Sequence, residues 1–134
     1  MAWTIASRSI QDGSLLHIRW SGFADASALS AQAIVDLSTL SLPGGAAPTK
    51  ARVLGGFIRC GGIGGVLEYD HTTDQLIATG VDGVEIPLCP AWGEKQRDEF
   101  LNDEGSGGAG DIILTTGTAA VGDTIDLEMI VSLE

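Results

Sequence analysis

The C-terminal stretch restricts this chain more than any other. Ile125, Leu127, Met129, Val131 and Leu133 alternate with Asp126, Glu128, Ile130, Ser132 and Glu134. A period of two sends the first set to one face of a strand and the second to the other, a sorting that no helix produces. Such a strand needs a second layer to cover its apolar face. The alternation recurs at Leu16-His17-Ile18-Arg19-Trp20-Ser21 and at Leu67-Glu68-Tyr69-Asp70. Further strands are expected at Thr4–Ile10, Ile34–Leu37, Arg52–Cys60, Gln75–Thr79, Val84–Leu88 and Asp111–Thr116, most of them rich in Ile, Val, Leu or Thr. Between them fall turn formers: Asp12-Gly13, Pro43-Gly44-Gly45, Gly61-Gly62, Gly64-Gly65, Asp82-Gly83 and the run Gly105–Gly110. About eight to nine short strands with glycine-rich turns predict an all-β fold. The expected architecture is an antiparallel, jelly-roll-like β-sandwich with little helix, one domain over residues 1–134.

Two local features sharpen that expectation. Val81-Asp82-Gly83-Val84 suits a two-residue hairpin, because Asp-Gly supplies the positive φ of a type I′ turn. Asp25–Ala33 and Pro90–Leu101 read either as short helices or as ordered loops, the second with Trp92, Gln96 and Phe100 on one face.

Composition removes several classes of function. The chain has 134 residues and 18 acids against 7 bases, a net charge of −11, yet only 19% charged residues and 44% hydrophobic ones. With a mean hydropathy of +0.23 it collapses rather than stays disordered. Two lysines and a pI near 4.3 argue against nucleic acid as a partner. No apolar run reaches the length of a membrane-spanning helix, so no membrane partner is expected. The opening Met1–Arg8 lacks the basic and apolar regions of a signal peptide. Cys60 and Cys89 form no metal-type spacing and read as two buried thiols or as a disulfide. Charge is uneven along the chain: residues 1–60 carry five bases and three acids, residues 61–134 two bases and fifteen acids. If the halves separate in space, one surface is acidic and another nearly neutral.

Nothing in the chain spells out a catalytic centre. The glycines from Gly55 to Gly65 lack the G-K-[ST] ending of a phosphate loop and the third glycine of a dinucleotide fingerprint, and read as strands joined by a turn. Two histidines, His17 and His71, starve a triad of its base. Asp70-His71-Thr72-Thr73-Asp74 reads as a turn closed by Asp and Thr side chains rather than a metal site. The acids from Asp98 to Glu104 lack the ligand order of a calcium loop. No G-x-S-x-G surrounds any of the ten serines. No enzyme, cofactor or metal is expected.

Three segments carry a resemblance: Ile34-Val35-Asp36-Leu37-Ser38-Thr39-Leu40; Val66–Asp74 with Leu76-Ile77; and Gly110–Gly117 running through Ala120-Val121-Gly122-Asp123-Thr124 into the last strand. In texture the chain resembles small virion proteins of tailed bacteriophages, among them capsid decoration or cement proteins. The resemblance implies a β-sandwich on a capsid surface, made in the host cytoplasm, with the major capsid protein as partner. A homodimer or homotrimer is expected with it, since exposed strand edges invite pairing. Candidate contact segments are the strand Trp3–Ile10 and the loop Leu42–Lys50, apolar or basic in an acidic chain. They give Trp3, Ile5, Arg8, Leu42, Pro43 and Lys50 as contact residues. The alternative is a carbohydrate- or receptor-binding module of a head or tail fibre, with Trp92 and Tyr69 flanking a shallow groove.

Overall fold

A computed structural model describes residues 3–71, 74–88 and 110–134. Nine strands run through them: β1 (Thr4–Asp12), β2 (Leu15–Phe23), β3 (Gln32–Val35), β4 (Ala51–Gly61), β5 (Gly65–Tyr69), β6 (Gln75–Gly80), β7 (Glu85–Pro87), β8 (Ile112–Thr116) and β9 (Thr124–Leu133). Eight of them fall on segments that period or composition marks as strands; β3 starts two residues before the expected Ile34–Leu37 and ends at Val35, because Leu37 enters a 3-10 turn. Helix among the described residues amounts to one 3-10 turn, Leu37–Thr39, capped by the Asp36 carboxylate on the Ser38 N–H.

Pairing is nested. β5 pairs with β6, β4 with β7, β3 with β8 and β2 with β9, all antiparallel, as in one long hairpin folded back at its middle. Rolling that hairpin brings β9 beside β4 and β8 beside β5. The resulting layers are β1-β2-β9-β4-β7 and β3-β8-β5-β6. Strands β2–β9 therefore form an eight-stranded jelly roll, and β1 is an extra strand added at one edge.

The apolar stripes meet between the layers. Leu16, Ile18 and Trp20 of β2, Val53 and Ile58 of β4, and all five apolar residues of the β9 stripe face Leu67, Tyr69, Ile112 and Leu114 of the smaller sheet. Each fully buried aliphatic side chain contributes roughly 1.5–3 kcal/mol relative to exposure. Two glycines let this core close. A Cβ on Gly22 would lie 2.7 Å from the Trp20 ring and 2.9 Å from that of Trp3, so the missing side chain is what allows both indoles to pack there. Gly56, at φ +130°, follows a bulge in β4, and a Cβ there would run into the carbonyl oxygen of Glu128 on β9.

The layers are also joined by a polar contact. Tyr69 is fully buried, and its hydroxyl accepts the backbone N–H of Val53 at 3.0 Å from the opposite sheet. Burial pushes the phenol up to about 12, against a smaller lowering by the Val53 bond and by Arg52.

One local expectation needs correction, and one of two open readings is decided. Asp82-Gly83 makes a turn, with Gly83 at φ 77° and the Val84 N–H donating to the Val81 carbonyl, but it is not a hairpin. Its flanking strands, β6 and β7, belong to different sheets. β7 is drawn to β4, and Asp82 is tied there too, its carboxylate accepting from the Gly62 N–H. Asp25–Ala33 is an ordered loop up to β3, not a helix; Ala26 and Ala31 have positive φ, and the Leu29 and Ala31 N–H groups donate to the hydroxyls of Thr116 and Thr115. Cys60 is a buried free thiol. Cys89 and the Pro90–Leu101 segment lie outside the described residues.

Tyr69 is the chain's one tyrosine, so its ionisation can be followed directly. Tyrosinate absorbance should appear with a midpoint near 12 instead of 10. A raised acid pKa means that the unfolded chain loses this proton first, so stability should fall as pH rises through that window. Tyr69→Phe should abolish this alkaline slope. It should also cost roughly 1–3 kcal/mol in urea unfolding at neutral pH by leaving the buried Val53 N–H without its acceptor.

Candidate functional site: the outer face of the five-stranded sheet

The polar halves of the alternating strands converge on one surface. Cross-strand register sets its rows: Arg8, Arg19, Glu128, Phe57 and Pro87 in one, and Ala6, Ser21, Asp126, Arg59 and Glu85 in the next. Beyond them toward the β1–β2 turn lie Ile10, His17 and Ile130, then Asp12, Leu15, Ser132 and Arg52. Thr4, Phe23 and Thr124 close the opposite end. Four of the chain's five arginines therefore share one face. With Asp12, Glu85, Asp126, Glu128 and Glu134, the partner of Arg52, the face comes to −1, so nearly all of the net charge of −11 lies in the rest of the chain.

Charge thus separates by face and not by halves of the sequence. The acidic β9 runs between β2 and β4, and its carboxylates are engaged there. Glu128 meets His17 Nε2 at 2.8 Å, and Asp126 accepts the Ser21 hydroxyl at 2.7 Å. Arg59 reaches Glu85 at 3.2 Å and lies over the Phe57 ring, while Arg52 reaches Glu134 at 2.9 Å. These pairs are solvent-exposed and each contributes little to stability. Arg8 and Arg19 stand directly opposite one another and make no ion pair among the described residues. Like charges so placed repel.

Two depressions mark the face. One, of about 490 Å³, is lined by Arg8, Ser9, Ile10, His17, Arg19 and Glu128; the other, of about 240 Å³, runs from Thr4 and Ala6 across Ser21 and Phe23 to Thr124 and Asp126. His17 and Glu128 form an imidazole–carboxylate pair, but Ser9 stands opposite Ile18 and so points to the other face of the sheet. Phe23 is 52% exposed and Ile10 73%. Arginine and aromatic enrichment with lysine absent is the composition of a protein-contact surface.

The expected contact residues distribute unevenly. Trp3 is a correction: it is buried, its indole packs over Gly22, and its Nε1–H donates to the Ser27 carbonyl at 2.8 Å, so it anchors the chain rather than a partner. Arg8 lies on the outer face. Ile5 is exposed on the opposite side of β1, across from Gly22. Pro43 is exposed, Leu42 is half-buried against the core, and Lys50 donates its backbone N–H to the Glu134 carbonyl. The Leu42–Lys50 loop and the β1 segment do approach each other, because Gln11 Nε2 donates to the Ser41 carbonyl at 2.6 Å. Arg19, Phe23, Phe57, Arg59 and Ile130 stand on this face beside Arg8, and the expected contact segments include none of them. Their signal was available, since each occupies an outward position in an alternating strand.

The other candidates settle elsewhere. Tyr69 is fully buried, which takes it away from any sugar-stacking groove; Trp92 lies outside the described residues. At the Asp70–Asp74 turn the His71 N–H donates to the Asp74 carboxylate at 3.0 Å, a side-chain-closed turn as expected. Among the described residues no three His, Cys, Asp or Glu side chains group as metal ligands would. Near that turn Asp111 accepts the Leu37 N–H at 2.9 Å. Burial raises its pKa, and the Asp36 and Asp70 carboxylates raise it further against the Leu37 bond. No protein-family model, curated protein or solved structure matches the chain.

Asp111 yields a signed expectation. An acid with a raised folded-state pKa costs stability when ionised, so stability should rise as pH falls from neutral through that pKa. Asp111→Asn keeps an acceptor for Leu37 and removes the repulsion; it should melt no lower than the parent at pH 7 and lose the mild-acid gain. Asp111→Ala should melt lower, by roughly 1 kcal/mol for the lost bond.

Proposed function

We propose that this protein is a virion structural protein of a tailed bacteriophage, a decoration or cement protein that binds the assembled head shell. Its partner is the major capsid protein, and its place is the capsid surface. The observation that carries the reading is the outer face of the five-stranded sheet. Its charge is close to balanced, and it is rich in arginine and in exposed Phe23, Ile10 and Ile130, in a chain whose net charge is −11. A broad face of this kind acts by adhesion, with free energy gathered from many repeated contacts around a symmetric shell. The jelly roll agrees with what the resemblance of Ile34–Leu40, Val66–Asp74 and Gly110–Thr124 implies. A ligand that binds the closed shell and not its dissociated subunits stabilises the shell by mass action, with no titrating group required.

Mixing purified protein with undecorated shells tests this. Saturable binding at a fixed ratio to capsid subunits and a higher rupture temperature are the expected results. Arg19→Glu and Phe23→Ser should each weaken shell binding about tenfold or more while shifting the free protein's stability by no more than about 0.5 kcal/mol, as exposed substitutions do. Absence of shell binding, or binding to glycans in its place, would sink the reading.

A further inference from the structure

We infer that β1 is the pairing edge for a second copy of this chain, and that the two copies join through antiparallel β1 strands with Ile10 on the two-fold axis and Arg8 of each facing Asp12 of the other. All nine residues of β1 are exposed, on both faces of the strand. Its outer edge has no neighbour in the sheet. Proteins usually guard such edges with short strands, bulges, proline or charged side chains, lysine above all. The other edge strands here follow that rule: β7 has three residues, β3 has four and a register shift, and β6 pairs with β5 across a shift. β1 is long and regular, and contains neither proline nor lysine.

Backbone geometry says which groups are on offer. The two-residue Gly13–Ser14 loop makes Asp12 and Leu15 a hydrogen-bonded pair, and the Leu133 N–H donating to the Ser14 carbonyl on the far side of β2 agrees with that phase. Thr4, Ala6, Arg8, Ile10 and Asp12 therefore bond toward β2. Ile5, Ser7, Ser9 and Gln11 turn their N–H and C=O groups to the open edge.

Charge chooses both partner and register. Pairing two β1 strands over their full length would set Arg8 against its own copy, beside two Arg19 side chains already opposite Arg8. Sliding the strands until Ile10 meets Ile10 removes that clash. Each Arg8 then faces the other copy's Asp12, and each Ser9 exchanges backbone hydrogen bonds with the other copy's Gln11. Asp12, like Arg8, makes no ion pair among the described residues. Ile10, at 73% exposure among the most exposed large apolar residues, is covered by its copy. The two five-stranded sheets become one of ten strands with a continuous outer face. This inference stands apart from what that face binds, and can be tested without any capsid.

Sedimentation across a concentration series should show a monomer–dimer equilibrium. Arg8→Asp and Asp12→Arg should each weaken dimerisation about tenfold or more, and the double swap Arg8→Asp with Asp12→Arg should restore it to within about threefold. Ile10→Cys should cross-link under mild oxidation, because directly opposed non-hydrogen-bonded pairs place Cα atoms about 4.5 Å apart, within disulfide reach. Ala6→Cys should not, and circular dichroism confirms that each variant folds. A chain monomeric at every accessible concentration, a swap that fails to restore pairing, or equal cross-linking at both cysteines would overturn the proposal. Loss of shell binding with the dimer intact would count against the capsid reading alone.

Discussion

Strand β9 is the element on which the rest depends. It is hydrogen-bonded along its length to β2 on one side and β4 on the other, and its inner residues Ile125, Leu127, Met129, Val131 and Leu133 are all almost wholly buried. A strand in the middle of a sheet needs a partner on each side, and β9 has β2 and β4. Nested pairing meets that need, and Gly56 meets the steric one by letting β4 approach the Glu128 carbonyl. Where β4 shifts register near Leu54, the Val53 N–H turns to the Tyr69 hydroxyl, so one irregularity in a sheet becomes a tie between sheets.

The same central position decides the surface. β9 carries Asp126 and Glu128, and it lies between Arg19 of β2, with Arg8 of β1 beyond it, and Arg52 and Arg59 of β4. An acidic half of the sequence and a mildly basic half are thereby interleaved into one nearly balanced face. Its pairs are exposed, and each contributes little to stability. β1 then widens this face without adding to the core: its nine residues are exposed while its neighbour β2 buries every second side chain. An element that buries nothing of its own is held by its hairpin, by Trp3 over Gly22 and by Gln11 on Ser41.

Strand positions were readable because side-chain period is a local property. The same locality places Trp3 among the contact residues although the fold buries it. An apolar residue near a terminus looks available until the space above Gly22 is seen, and that space exists because strands β1 and β2 pair. Asp82-Gly83 shows the limit from the other side: its turn forms as the residues demand, yet the strands it joins go to different sheets. Ile86 finds Ile58 across the sheet, and nothing within the turn encodes that choice.

By itself the sequence determined which residues of the alternating strands face inward, where the chain turns, and that the result is a two-layered β protein, since alternation and glycine placement act over a few residues. Only the tertiary structure decided which strands are neighbours. With that came the gathering of Arg8, Arg19, Arg52 and Arg59 on one face and the exposure of one long edge. Period two tells a side chain which face to take and is silent about the strand beside it. That choice is made by the packing of all the strands together.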